Sequence, residues 1–197
     1  MRTFDEYKGI EVSGRVVFGL VQAFGQFKGQ ASQLLLAEGI GTKGADGLVV
    51  VDPTAWYPLD GFMRAFDRTG QQMGDSVLHQ IGVSTAKTAE WAPNTTDLKG
   101  VISQIDQGYH LNHRKFGKVM WDPATGYMQE GIGHYVYRAR PDGSMEVQAN
   151  NPYPCAFDKG LLFGAMRVLD TVGAIIHDDS HPCRKRGNKS CTYIIKG

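Results

Sequence analysis

Apolar residues recur every three or four positions through the N-terminal half of the chain, which is the spacing of amphipathic helices. The first such stretch covers residues 12–37, with Ser13 as a predicted N-cap and Gly39 as a predicted stop. A short strand is predicted at residues 47–52. Further helices are predicted from Asp52 through Phe66, over residues 72–88, and from Thr95 through Tyr109.

From Lys118 onward the apolar period changes to two, which predicts strands. These predicted strands cover residues 118–121, 132–140, 144–149, 174–178 and 191–196. Residues 156–172 return to helical spacing, and Gly173 is the predicted end of that helix. The order predicts an α+β fold, with a helical N-terminal half followed by an antiparallel sheet with a packed helix.

The first predicted helix is more apolar than a surface helix needs to be. Its small residues Gly19, Gly25 and Gly29 would let a second helix approach closely. We therefore divide the chain into an N-terminal helical segment, residues 1–45, which pairs two chains, and a ligand-binding domain, residues 46–197. The expected oligomer is a homodimer.

Composition argues against nucleic acid and membranes as direct partners. The 197 residues carry 21 Lys and Arg against 20 Asp and Glu, which leaves a net charge of +1. The short basic run at 184–189 is typical of a solvated turn. No apolar stretch has the length of a membrane span, and the start has no signal-peptide pattern, so the expected compartment is the cytoplasm.

The three cysteines of the chain, Cys155, Cys183 and Cys191, lie close together near its end. An odd count fits a disulfide framework poorly, whereas clustered thiolates suit a metal site in a reducing compartment. Zinc held in this way takes four tetrahedral ligands. Gly187 would let the loop between the last two cysteines turn back.

The fourth zinc ligand has several candidates, namely His181, Asp178, His177 and Asp158. His181 lies two positions before Cys183, so both side chains would share a face if the backbone is extended. We expect His181 to complete the site.

This cysteine frame resembles the C-terminal half of the 4-vinyl reductase domain family. The resemblance is clear over about residues 150–197 and weaker over about residues 40–85. The matching residues are Cys155, Phe157, Gly160, Gly164, Cys183, Gly187 and Cys191.

Relatives of that family include sensor modules of phenol- and xylene-responsive activators and, more distantly, heme-nitric-oxide-binding and TRAPP-type folds. The resemblance implies zinc held by three Cys and a Glu three residues before the second Cys. In this sequence that position is Ser180.

A second group of candidate ligands lies near the end of the fourth predicted helix. His110 and His113 are three apart, and Asp106 is four before His110, so a continuous helix would place them on one face. Such a pair suits a transition metal or heme, and it also suits an ordinary polar helix end.

Aromatic residues with polar atoms suggest a small-molecule pocket as well as ordinary core. The expected ligand-binding residues are Trp56, Tyr109, His110, Trp121 and His134.

No nucleophile elbow, phosphate loop or dinucleotide fingerprint is present in the sequence. We therefore expect a non-catalytic sensory module with a structural zinc site and a pocket for a small apolar or aromatic ligand. The alternative is a heme- or tetrapyrrole-handling protein, or a reductase-like enzyme.

Overall fold

The computed structural model describes residues 3–93, 95–170 and 173–196. Over these residues the chain forms six α-helices and ten short strands. The helices are α1 (Gly14–Ala23), α2 (Lys28–Ala37), α3 (Leu59–Met73), α4 (Asp75–Thr88), α5 (Leu98–Leu111) and α6 (Cys155–Val168). The strands are β1 (Ile10–Ser13), β2 (Thr42–Lys43), β3 (Val49–Val50), β4 (Trp56–Pro58), β5 (His113–Lys115), β6 (Lys118–Val119), β7 (Tyr135–Ala139), β8 (Met145–Ala149), β9 (Ala174–His177) and β10 (Cys191–Lys196).

The chain folds into two compact units. The first comprises the residues up to Val77 together with Tyr109–Gly131, and the second comprises Leu78–Gly108 together with the residues from Ile132 onward. Each unit combines helices with an antiparallel sheet. The predicted α+β class is therefore confirmed.

In the first unit the sheet has the strand order β4-β1-β5-β6, and β1 pairs antiparallel with β4 and β5. The sequence predicts helix from residue 12, but the structure has strand there because Val12 is fully buried between two neighbouring strands. The helix begins at Gly14, and Ser13 is its N-cap, because the Ser13 hydroxyl accepts a hydrogen bond from the Val16 N–H.

The predicted helix over residues 12–37 is interrupted in the middle. A 3₁₀ turn at Gly25–Phe27 separates α1 from α2, and Gly25 has a φ of +52°. That conformation does not occur inside an α-helix and favours glycine. The two halves of the segment are therefore separate ten-residue helices.

The predicted helix after Asp52 also begins later than expected. The Asp52 carboxylate accepts hydrogen bonds from the backbone N–H and the hydroxyl of Thr54, which closes a turn. Trp56–Pro58 then pairs with β1, and α3 begins at Leu59. Pairing with a buried strand overrides the local helical pattern here.

In the second unit the strand order is β7-β8-β10-β9, with every neighbouring pair antiparallel. The helix predicted over 156–172 begins at Cys155 and ends at Val168, and residues 171 and 172 of that prediction lie outside the described part. None of the described helices is long and apolar enough to cross a bilayer.

Glycines bring α4 and α6 of the second unit into close contact. A Cβ at Gly160 would lie 2.0 Å from the carbonyl oxygen of His79, and one at Gly164 would lie 2.7 Å from Cβ of Ala86. Gly82 has the same role on α4, facing the carbonyl of Phe157. This close approach explains why Gly160 and Gly164 stand on α6, and it positions Cys155 at the start of that helix.

Candidate functional site

The three cysteines converge in the second unit from three separate elements. Cys155 is the first residue of α6, Cys183 precedes a 3₁₀ turn at Arg184–Arg186, and Cys191 begins β10. All three are buried free thiols. The Sγ atom of Cys155 lies 3.0 Å from that of Cys191 and 3.6 Å from that of Cys183, and the remaining pair is 3.8 Å apart.

These separations suit a common metal ion. Zinc–sulfur bonds of about 2.3 Å in a tetrahedron place two sulfur ligands about 3.8 Å apart. The two separations that involve Cys183 are near this value, and only the Cys155–Cys191 pair must open slightly. The thiol cluster therefore provides three of the four ligands that structural zinc takes.

His177 of β9 is the fourth member of this group. Its ligand atom and those of the three cysteines all lie within 4.8 Å of one another. The His177 Nδ1 atom is 2.8 Å from Oδ1 of Asp179. Its Nε2 atom is buried and, among the described residues, has no hydrogen-bond partner. A metal-bound histidine typically has this arrangement, with one nitrogen held by a carboxylate and the other directed to the ion.

His181, the ligand expected from the sequence, lies outside the group. Its side chain is 47% exposed, and its Nδ1 atom is 3.0 Å from Oδ2 of Asp178. The reason is that residues 178–181 form a turn, in which Asp178 also accepts hydrogen bonds from the backbone N–H and hydroxyl of Ser180. This turn holds the His181 side chain at Asp178 and outside the cysteine group.

The sheet explains why His177 is positioned at the cysteines. His177 is paired with Tyr193 of the central strand β10, and its ring packs edge-on against the Tyr193 ring at 5.3 Å. Alternation along β9 buries Ile175 and exposes Ile176, so His177 lies on the buried side. The sequence Ala-Ile-Ile-His does not reveal which isoleucine is buried, so no sequence signal favours His177 over His181.

Backbone groups of the loop support the thiols as hydrogen-bond donors. The Arg184 N–H donates to Sγ of Cys191 at 3.4 Å. The hydrogen bond from the Cys191 thiol is the main reason that the pKa of Cys155 falls to about 4, and the Arg184 charge and the Lys185 N–H act in the same direction, against burial. Donation to Cys155, together with burial, raises the pKa of Cys191.

A buried ion pair lies next to the cysteines. Arg184 is 1% exposed and Asp158 is fully buried, and the Arg184 Nη2 group donates to Oδ2 of Asp158. Its Nη1 group donates to the carbonyls of Ala149 at 2.7 Å and Asn151 at 3.0 Å. The basic run at 184–189 is therefore not simply a solvated turn, because its first residue is part of the core.

Asp158, one of the candidate fourth ligands, has both carboxylate oxygens hydrogen-bonded within this network and not directed at the cysteines. Its Oδ1 atom accepts a hydrogen bond from the Tyr135 hydroxyl at 2.7 Å, and burial raises the pKa of its carboxyl. The Tyr193 hydroxyl in turn donates to the Cys155 carbonyl at 2.9 Å. The network thus connects the start of α6 to the central strands of the sheet, and no sequence motif indicated it.

In the first unit, the two histidines near the end of α5 are both buried. His110 is in the last turn of the helix, whereas His113 begins β5, so the shared helical face expected from their spacing does not form. The His113 Nδ1 atom is 2.6 Å from the Tyr109 carbonyl oxygen. Burial is the main reason that the pKa of His113 is lowered to about 4, which keeps the imidazole neutral.

The other residues expected to bind a ligand lie on separate elements, Trp56 and Trp121 in the first unit and His134 in the second. Trp56 lies on β4 with the Arg114 guanidinium over its ring at 4.8 Å, and Trp121 makes an isolated bridge with Met128. In the second unit, Nδ1 of His134 is 3.0 Å from Oδ2 of Asp106. The ligand role of these residues remains a prediction.

An apolar recess in the first unit has a different lining. Its volume is about 10 Å³, room for about one water-sized molecule. The residues that line it are Val17, Leu20, Phe24, Leu35, Phe62, Ala65, Phe66 and Thr69.

No family model matches this sequence, and no curated protein matches it. Solved H-NOX domains have a similar structure. An H-NOX protein from S. oneidensis in the Fe(II)NO ligation state aligns over 93% of this chain and 98% of its own, with a TM-score of 0.60 and 17% identity. An oxygen-binding H-NOX domain related to soluble guanylate cyclases, in its oxygen complex, aligns over 93% and 94%, with a TM-score of 0.58 and 16% identity.

A third similar structure comes from work on heme redox potential and protein-induced porphyrin distortion. It covers 94% of this chain and 99% of its own, with a TM-score of 0.59 and 15% identity. The chain therefore has the fold of heme-NO-binding domains over nearly its whole length. The 4-vinyl reductase resemblance is confirmed only in its most distant part, the relation to heme-NO-binding folds.

Proposed function

We propose that this protein is a sensor module that binds a small molecule, with heme as its candidate cofactor. The observation that carries the proposal is the match to H-NOX domains along almost the full length of both chains. Those domains bind heme, and their iron binds NO or O₂. This evidence favours the heme-handling alternative over a heme-free pocket for an apolar or aromatic ligand.

The donor set of the first unit is chemically suited to heme iron. His110 and His113 are both buried, and a neutral imidazole is a common axial ligand of heme. His113 already has its Nδ1 atom at a backbone carbonyl, which is the usual way to orient a metal-binding histidine. The apolar recess is too small for the macrocycle, so it is not proposed as the heme site.

Reconstitution with hemin tests this function. The full chain should bind one heme and show a Soret band, which should shift when NO is added to the reduced protein. We expect His110→Ala or His113→Ala to abolish the band, whereas His181→Ala, which changes an exposed histidine, should retain it. Failure of the folded wild-type chain to bind heme would contradict the proposal.

We further propose that one zinc ion stabilises the second unit, bound by Cys155, His177, Cys183 and Cys191. The support is the convergence of three thiols and the buried Nε2 atom of His177. Zinc here would have a structural role, because four protein ligands leave no open position for a substrate.

Metal content measures this second proposal independently of heme. Protein purified under reducing conditions should contain one zinc per chain, and Cys183→Ser should lose it together with thermal stability, because the free energy of zinc binding contributes to folding. Ser190→Ala, which changes a loop residue outside the ligand set, is the matched control. If folded wild-type protein binds no zinc when zinc is added, the site is ruled out.

A further inference from the structure

Two of the three clustered thiols are closer together than either is to the third. The Sγ atoms of Cys155 and Cys191 are 3.0 Å apart, whereas Cys183 is 3.6 Å and 3.8 Å from them. The two residues are 36 positions apart in the sequence and belong to a helix and a strand. The fold has therefore brought together a specific pair, one movement of about 1 Å from the 2.05 Å bond length of a disulfide.

We infer that Cys155 and Cys191 form a redox modification site, which hydrogen peroxide converts to a disulfide with release of the bound metal ion. The release depends on the proposed zinc site, whereas the disulfide does not. After oxidation only Cys183 and His177 remain as ligands, and two ligands do not satisfy tetrahedral zinc.

The chemistry balances with hydrogen peroxide as the two-electron oxidant. The Cys155 sulfur attacks one peroxide oxygen, the O–O bond breaks, and the products are a Cys155 sulfenic acid and water. The Cys191 sulfur then attacks the Cys155 sulfur, and the S–O bond breaks. The hydroxide that leaves takes a proton and becomes a second water, so two thiols have been oxidised and one peroxide reduced.

The surroundings of the pair select Cys155 as the sulfur that reacts first. Cys155 is the N-terminal residue of the 14-residue helix α6, at the edge of the thiol cluster. It is also 6% exposed, whereas Cys191 is fully buried. Cys191 is therefore placed as the resolving thiol.

The local hydrogen bonds connect this modification to the rest of the second unit. Arg184 donates its backbone N–H to Cys191, and Tyr193 donates its hydroxyl to the Cys155 carbonyl. Arg184 also holds Asp158 of α6. A change of bonding between the two sulfurs thus acts directly on the start of α6 and on the loop between Cys183 and Cys191.

The test treats zinc-loaded and metal-free full-length protein with hydrogen peroxide. Peptide mapping by mass spectrometry should find Cys155 linked to Cys191, and a chromogenic chelator should register one zinc released per disulfide. Dithiothreitol with added zinc should reverse both changes. Cys183→Ser should still form the link, whereas Cys191→Ser should not form it.

The outcomes separate this inference from the zinc proposal. A Cys155–Cys191 disulfide in protein that never binds zinc would support the redox site and refute the metal site. Zinc retained with three free thiols, at peroxide concentrations that oxidise free cysteine, would refute the redox site alone. Linkage mainly through Cys183 would overturn the assignment of the reactive pair.

Discussion

At the residue scale, the choice between two histidines decides which residue would complete the proposed zinc site. His177 and His181 are four positions apart, and each has one ring nitrogen beside a carboxylate. Only His177 also has a buried second nitrogen in the cysteine group. His181 thus resembles a ligand in the sequence, whereas only the structure distinguishes the two.

We predict that His177→Ala loses zinc to a competing chelator at a concentration at which His181→Ala and wild type retain it. The physical reason is that the first variant removes one of four ligands, and the second removes an exposed side chain. Zinc retention measured across a chelator titration provides the comparison. The reverse order would restore His181 as the ligand.

The buried pair Arg184–Asp158 leads to a second prediction at this scale. Arg184→Met leaves the Asp158 carboxylate buried without its partner, and removal of one partner of a buried pair costs about 3–5 kcal/mol. The double variant Arg184→Met with Asp158→Asn should lose much less, because no unpaired charge remains.

Urea unfolding of metal-matched samples measures these differences. Arg138→Met serves as the control, since Arg138 of β7 is exposed in the same unit and surface changes usually stay within about 0.5 kcal/mol. A double variant as unstable as Arg184→Met would mean that the arginine contributes through packing and not through its charge.

At the scale of elements, α6 and its close contact with α4 position the first cysteine. Gly160→Ala would place a methyl group 2.0 Å from the His79 carbonyl oxygen, so the two helices must separate. We expect a loss of about 1–3 kcal/mol, as for overpacked cores. Thermal unfolding followed by circular dichroism measures this loss.

Gly19→Ala in α1 is the matched helical control for Gly160→Ala. A Cβ at Gly19 has nothing within 4 Å, so the change should raise stability by up to about 1 kcal/mol through helix propensity. Equal effects of the two substitutions would show that helix propensity, and not the contact between α4 and α6, determines the result.

Elements with strong local signals are predictable from this sequence. The period-two segment that ends the chain forms β10 at Cys191–Lys196, as predicted, and the cysteine frame predicts the thiol cluster. The errors occur where long-range pairing overrides local periodicity. Trp56–Pro58 is predicted as helix but is a strand, and His113, which a continuous helix would place beside His110, is also in a strand, because β1 lies beside both segments.

The candidate site shows the same division between local and long-range information. Cysteine is scarce enough that clustering is visible in the sequence, whereas Arg184 and Asp158 are 26 positions apart and look like ordinary surface residues. Their burial depends on α6 packing against the sheet, which no local pattern encodes. The geometry of the turn after His177 is likewise needed to separate His177 from His181.

At the scale of the whole molecule, the expected homodimer stays a proposal, and the structure changes how it should be tested. Deletion of the first 38 residues would remove β1, the strand between β4 and β5, and would therefore damage the fold itself. Substitutions on α1 and α2 are more informative. A Cβ added at Gly19 or Gly29 would meet nothing within 4 Å in the single chain, and Phe18 beside Gly19 is 43% exposed.

We predict that wild type sediments at twice the mass of one chain at micromolar concentration, and that Gly19→Trp or Gly29→Trp shifts it to the monomer. Each indole would occupy space that is free in one chain but needed by a second helix at a close crossing. Gly108→Trp, another helical glycine with open space around it, is the control and should remain dimeric. If all three variants and wild type sediment as monomers, the exposed glycines of α1 and α2 are ordinary surface positions, and the homodimer is ruled out at that concentration.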